Sequence, residues 1–123
     1  MSSAMRRPEP AGAPQARLVA RLCMDNKAAN VMVLDLHGVT EMTDYFVIAS
    51  GTSDKHVRGI AEHVMADLAA DGITAVAVEG LAQGRWVVID FMDFVVHVFH
   101  PSLREYYQLE RLWGDAPALA LTR

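Results

Sequence analysis

The sequence predicts a single α/β domain built on a mixed five-stranded sheet with flanking helices. Three observations lead to this prediction. Five short segments are rich in β-branched and aromatic residues, a long central segment repeats its apolar residues at helical spacing, and shorter helical patterns stand near both ends. The chain has 123 residues, of which 52% are apolar and 21% are charged, and this length and composition suit one domain with its own core.

The two ends of the chain differ in composition from the middle. Residues 1–14 contain three prolines, which break the amphipathic helix of a transit peptide, and no apolar signal core follows them. We therefore predict a disordered leader over 1–14, a folded domain over 15–116 and a flexible tail over 117–123. Asp90 and Asp93 interrupt the longest apolar runs before they reach the length of a membrane span, so we expect a soluble, cytoplasmic protein.

The helical segments are defined by apolar spacing and by their end signals. The first contains Cys23, the only cysteine, which we expect to be a core residue of a protein from a reducing compartment. The long central helix follows Ser53, a natural N-cap, and ends at Asp71-Gly72. A terminal helix opens at Pro101.

Five β-rich segments define the strands. The first two are expected to pair antiparallel. The step from the second strand through the central helix to the third implies a parallel relation, so the sheet is predicted to be mixed. The segments are VMVLDL (31–36), YFVIAS (45–50), TAVAVEG (74–80), RWVVID (85–90) and FVVHVFH (94–100).

The net charge of the chain indicates which class of partner it can bind. The formal net charge is −4. Nucleic-acid binding draws much of its affinity from Lys and Arg side chains that displace counterions, so we expect no direct nucleic-acid readout. A basic protein would match this chain better, because opposite charge steers association.

A phosphate site or a nucleotidyl-transfer site is the first catalytic candidate. The segment ASGTSD joins a strand to a helix, yet it lacks the glycines and the lysine of a phosphate loop. A strand, a Ser-Gly turn and a helix also open the nucleotidyltransferase fold, whose enzymes hold two metal ions with paired carboxylates on the following strand. Here that strand offers only Glu79, Asp90 and Asp93 come one strand later, and the chain has no D-x-D motif. The sequence therefore indicates the fold without supporting the chemistry.

The histidines and serines do not indicate another kind of active site. Strand alternation places His97 and His100 on opposite faces, and the other three histidines have no companions at zinc-site spacing. Neither Ser50 nor Ser53 has a G-x-S-x-G motif around it. We therefore predict that the protein is not an enzyme and has no catalytic residue, metal site or cofactor.

Large side chains instead collect on both faces of the fourth strand. Alternation sends Trp86, Val88 and Asp90 to one face and Val87 and Ile89 to the other. Two interpretations of the tryptophan stay open. It is either covered by the terminal helix as a core residue, or it is an exposed anchor, since Trp, Tyr and Arg dominate interface energetics. The same alternatives stay open for the aromatic residues of the terminal helix.

Three motifs carry a resemblance to a known family. They are DYFVIASGTSDKHV (44–57), GRWVVIDFMDFVVHVFHP (84–101) and REYYQLERLWGDA (104–116). Together they resemble the ribosomal silencing factor family, also called RsfS or Iojap-like, in a match that runs from about Leu18 to Ala116. The resemblance implies a non-enzymatic factor with a nucleotidyltransferase-like α/β fold that lacks the catalytic carboxylates.

The resemblance also implies a function. Members of this family bind the large ribosomal subunit through its fourteenth protein, block its association with the small subunit and repress translation under nutrient limitation. They are often dimeric when free. The alternatives are a nucleotidyltransferase-like enzyme, a large-subunit assembly factor, as organelle members are, and a dimeric adaptor with another partner.

A contact surface for a basic ribosomal protein follows from the same resemblance. Its expected parts are an anchor, an apolar floor and charge partners for Arg or Lys. Trp86 is assigned as the anchor, and Val88 and Pro101 form the apolar floor. Asp90 and Glu110 are the charge partners, and His100 and Tyr107 complete the surface.

Overall fold

The computed structural model describes residues 12–103, 117–119 and 121. Within these ranges the order of elements agrees with the sequence prediction as far as the last strand, and residues 101–103 open a further helical turn. None of the helices in these ranges is long and apolar enough to cross a membrane. The elements are α1 (Ala13–Asp25), β1 (Ala29–Asp35), β2 (Tyr45–Ser50), α2 (Asp54–Ala70), β3 (Ala77–Glu79), β4 (Trp86–Asp90) and β5 (Phe94–Phe99).

The strands form one mixed sheet, which confirms the predicted fold class. Their order across the sheet is β1-β2-β5-β4-β3. Strands β2 and β5 run parallel, and the other neighbouring pairs, including the predicted β1–β2 pair, run antiparallel. The third strand is shorter than the segment TAVAVEG, since only residues 77–79 pair with the short β4. The nucleotidyltransferase-like description remains a prediction.

Helices α1 and α2 pack against the same face of the sheet, and the main core lies between these helices and the sheet. Strand residues at alternate positions, such as Val47 and Val96, are fully buried in one cluster with Val19 of α1 and Ile60 of α2. Cys23 lies in this cluster, and burial raises the pKa of its thiol to about 12. Its position agrees with the core role predicted from the sequence.

Two polar side chains fix the start of α2. Ser53 accepts a hydrogen bond from the backbone N–H of His56 at 3.0 Å, which confirms the predicted N-cap. The His56 ring accepts from the Thr52 N–H through Nδ1 at 2.9 Å, and its Nε2 lies 2.7 Å from the carbonyl oxygen of Asn26. This histidine therefore joins the start of α2 to the end of α1.

Residues 117–119 lie beside the outer edge of β1. The Asp35 N–H donates to the Pro117 carbonyl and the Leu119 N–H donates to the Val33 carbonyl, each at 2.8 Å. These residues belong to the segment that the sequence predicts to be a flexible tail. In the structure they are hydrogen-bonded to the sheet, and Leu119 packs against the main core.

Candidate interaction face

The candidate site lies on the face of the sheet opposite the two helices, which we call the outer face. Alternate residues of neighbouring strands point to the same side, so one face collects side chains from four strands. In the register between β4 and β5, Trp86 pairs with Phe99, Val88 with His97 and Asp90 with Val95. The part of the outer face that forms the candidate site consists of these six residues together with Phe46 of β2 and Ala77 and Glu79 of β3.

Burial along β4 confirms the alternation predicted from the sequence. Val87 and Ile89 are fully buried in the main core. Trp86, Val88 and Asp90 are half-buried on the outer face. The structure therefore brings three of the predicted contact residues together on one strand.

Trp86 combines the two roles that the sequence left open. Its ring stacks on Phe99 with a centroid separation of 5.2 Å and an interplanar angle of 21°. It packs against a small second cluster on the outer face, which also includes Leu103 at the start of the terminal helical turn. Trp86 is only partly buried, so part of the residue stays accessible to solvent or to a partner. Trp86 is thus held in a defined orientation while keeping part of its surface available.

His97 is the most buried polar group on the outer face. The indole N–H of Trp86 donates to its Nδ1 at 3.1 Å, and the ring of Phe46 meets it edge-on with centroids 4.6 Å apart. Burial lowers the pKa of His97 to about 4, because the charged ring would lose its hydration. Its Nε2 has no hydrogen-bond partner among the described residues. His97 is therefore a neutral, oriented side chain beside the tryptophan.

A groove of about 270 Å³ opens on the outer face next to His97. Apolar and polar side chains both line it. One oxygen of the Asp90 carboxylate accepts from the Met92 N–H at 2.7 Å, which fixes that side chain at the groove. The floor is formed by Phe46, Val88, Val95 and His97, and the rim by Met42, Thr43, Ala77, Glu79 and Asp90.

His100 and Pro101 lie at the end of β5, away from the groove. The His100 N–H donates to the Arg85 carbonyl at 2.8 Å, which extends the pairing of β4 and β5 by one residue. Its Nε2 lies 3.9 Å from the Asp54 carboxylate at the start of α2, and the Arg85 guanidinium lies 3.8 Å from the same oxygen. The ring therefore faces the helix side, opposite to His97, as strand alternation predicts. Pro101 is exposed beside it.

The remaining two predicted contact residues, Tyr107 and Glu110, lie outside the described residues. Sequence reasoning did not select Phe46, Val95 or His97 for the site. The signal for them is positional: each stands across a strand from another member of the outer face, which becomes visible only with the register between strands. The site is therefore a property of four neighbouring strands rather than of one motif.

The acidic residues on the rim do not form a metal site. Glu79 and Asp90 both line the groove, although they come from different strands. In the described part of the chain, no three His, Cys, Asp or Glu side chains converge in a way that could hold a metal ion. The arrangement favours contact with a cationic group over the two-metal chemistry of a nucleotidyltransferase.

A protein-family model described as "Ribosomal silencing factor during starvation" matches residues 9–123. The chain is 44% identical over 101 residues to the ribosomal silencing factor RsfS of Bacillus subtilis, a match that covers 82% of this chain and 86% of that protein. It is similar in structure to a protein from Bacillus halodurans, with a TM-score of 0.78, 39% identity, and coverage of 88% of this chain and 98% of the other.

A longer relative comes from an organelle. The mouse protein named "Mitochondrial assembly of ribosomal large subunit protein 1" is 34% identical over 99 residues. The match covers 78% of this chain and 43% of the mouse protein. The shared region is therefore less than half of that relative.

Proposed function

Since the chain belongs to the ribosomal silencing factor family, we propose that it binds the large ribosomal subunit and blocks its association with the small subunit. In this proposal the contact is made with the fourteenth protein of the large subunit, and translation is repressed when nutrients are limiting. The observation that carries the proposal is the outer face, where an oriented tryptophan stands beside an apolar groove with an acidic rim. The protein acts in the cytoplasm, and its free form is a homodimer.

The composition of the outer face supports a protein partner. A tryptophan that is both packed and partly accessible is the kind of residue that anchors an interface. The groove floor is apolar, and Glu79 and Asp90 place negative charge at its rim. Together with the net charge of −4, this favours a basic surface such as that of a ribosomal protein.

The proposed mechanism is steric and requires no catalysis. A bound domain occupies the surface where the small subunit would dock, and no bond is made or broken. In the proposed interface Trp86 is the anchor, Val88 lies under the partner and Asp90 pairs with a cationic side chain. Pro101 extends this surface past the end of β5, and Tyr107 and Glu110 complete it from the terminal segment. The His100 ring lies near Asp54 on the helix side, so it joins the contact where the partner reaches around the end of the strand.

The name of the mouse relative favours a second candidate, a factor that assists assembly of the large subunit. The two functions differ in the particle that is bound. An assembly factor acts on immature particles, whereas a silencing factor binds mature large subunits. Sedimentation with purified mature subunits therefore separates them.

The test is cosedimentation of the protein with isolated mature large subunits through a sucrose cushion. We expect the protein to pellet with large subunits and Trp86→Ala to stay in the supernatant. His63→Ala is the matched control, because it removes an exposed ring from α2 on the opposite side of the domain. If the unsubstituted protein stays in the supernatant, the proposal fails. If Trp86→Ala pellets as well as His63→Ala, the outer face is not the contact.

A further inference from the structure

His97, which lines the groove on the outer face, carries a polar hydrogen that no described residue accepts. An indole N–H can only donate, so the His97 Nδ1 that receives it at 3.1 Å from Trp86 is an unprotonated acceptor. The neutral ring therefore carries its hydrogen on Nε2. That atom is buried without a hydrogen-bond partner among the described residues, and His97 as a whole is only 7% exposed. Since nearly all buried donors in folded proteins are paired, this one indicates an acceptor supplied from beyond the described residues.

The charges around the groove limit what that acceptor belongs to. Glu79 and Asp90 stand on its rim, and among the described residues neither a lysine nor an arginine lines it. The Arg85 side chain lies near Asp54 instead. A phosphate or a carboxylate would satisfy His97 but would face two negative charges at close range. The occupant is therefore cationic overall and brings an uncharged acceptor.

The shape of the groove points to a single long side chain. Its volume of about 270 Å³ is far larger than a single water molecule needs. The floor of Phe46, Val88 and Val95 offers apolar surface to a stem, while the carboxylates lie at the rim. Arginine suits this site better than lysine, because the guanidinium is weakly hydrated, stacks on aromatic rings and binds a carboxylate through two hydrogen bonds.

We propose that the groove is a socket for one arginine side chain of a basic protein partner. The stem lies over Val88, and the guanidinium binds Glu79 and Asp90. A guanidinium has no acceptor, so a backbone carbonyl of the same partner segment receives the His97 Nε2 hydrogen. This inference rests on the proposed function and deepens it, since it states which side chain of the ribosomal partner the outer face recognises.

The direct test uses the full chain and no ribosome. N-acetyl-arginine N-methylamide carries the guanidinium and two amide carbonyls, and its citrulline analogue has the same shape without the charge. By NMR we expect the arginine probe to shift the His97 Nε2 nitrogen and the Val88 and Val95 methyl groups in a saturable way. The citrulline probe should bind about tenfold more weakly, since only the charge differs. Absence of a His97 shift, or equal binding of both probes, overturns the inference.

The second test measures retention on large subunits. Glu79→Arg places a positive charge at the groove, and Glu62→Arg makes the same charge change at an exposed position on α2. We expect Glu79→Arg to weaken binding about tenfold or more and Glu62→Arg to leave it near the original value. Equal effects of the two variants overturn the inference while the proposed function stands. If the unsubstituted chain does not bind large subunits, the proposed function fails, and the arginine probe still decides whether the groove is a socket.

Discussion

At the scale of single residues, His97 shows how position decides the chemistry of a side chain. In the sequence it is one of two histidines at the end of a strand and a poor candidate for a metal ligand. In the structure it is held between Trp86 and Phe46, and burial lowers its pKa to about 4. It is therefore neutral across the physiological range and serves as a hydrogen-bonding group rather than a charge.

The depressed pKa of His97 predicts a pH dependence of stability. An unfolded histidine binds its proton near pH 6.5, whereas the folded one does so near pH 4. Between these values the unfolded state binds more protons, so the free energy of unfolding falls as the pH drops from 6.5 towards 4 and this contribution levels off below that. The shift corresponds to about 3 kcal/mol between pH 7 and the acid limit.

Urea unfolding at a series of pH values between 4 and 7 measures this effect. Carboxyl groups ordinarily titrate over the lower part of the same range. The reference is therefore His97→Gln, which retains an acceptor for Trp86 but does not titrate. We expect a shallower decline of stability for this variant between pH 6.5 and 4. Parallel curves for the two proteins would contradict the assignment.

At the scale of elements, the loop between β3 and β4 determines where the tryptophan strand begins. Gly80 and Gly84 both have positive φ, at 80° and 68°. The Arg58 guanidinium of α2 lies 3.4 Å from the carbonyl oxygen of Ala82, and a Cβ at Gly84 would lie 2.5 Å from the carbonyl oxygen of Asp54. This loop is thus fitted closely against the start of α2, and it delivers Trp86 to the outer face.

Two glycine substitutions separate steric fit from backbone strain. Gly72, after α2, has a φ of +82° with open space around it, whereas a Cβ at Gly80 would collide with the carbonyl oxygen of Trp86. Gly72→Ala therefore introduces only the strain of a left-handed conformation, about 1 kcal/mol. Gly80→Ala adds a backbone collision, and we expect a loss of about 3 kcal/mol in total.

Chemical denaturation followed by tryptophan fluorescence tests this pair of variants. Because the collision lies at Trp86, the native emission spectrum should also change for Gly80→Ala and stay unchanged for Gly72→Ala. Equal losses of stability, with identical native spectra, would show that the loop adapts and does not position the strand.

The sequence was sufficient for features that depend on local pattern. Alternation in RWVVID predicts which side chains share a face, and Ser53 marks the start of α2; both predictions are confirmed. Features that depend on pairing between distant segments could not be predicted from the sequence. The length of β3 depends on pairing, because only residues 77–79 are in register with β4. His97 entered the site for the same reason, through its register with Val88.

At the scale of the whole molecule, α1 and α2 give the two faces of the sheet different roles. Both helices cover one face and form the main core with it. The outer face holds Trp86, the groove and its acidic rim. This division allows surface residues of the outer face to be substituted without disturbing the main core, so binding and stability can be measured separately.

A steric mechanism predicts a dependence on the order of addition. If the protein occupies the surface that the small subunit needs, it acts on free large subunits and has no access to that surface in joined ribosomes. In a subunit-joining assay followed on sucrose gradients, we expect fewer joined ribosomes when the protein is added to large subunits first. Trp86→Ala should abolish this effect and His63→Ala should keep it.

Addition to ribosomes that are already joined gives the contrasting condition. Under ionic conditions that keep the subunits together, we expect the protein to leave the joined fraction unchanged, because its docking surface is covered. Lowering the magnesium concentration releases subunits, and restoring it in the presence of the protein should then trap the large subunits unpaired. Equal loss of joined ribosomes for both orders of addition would contradict steric occlusion, since it would require the protein to separate subunits actively.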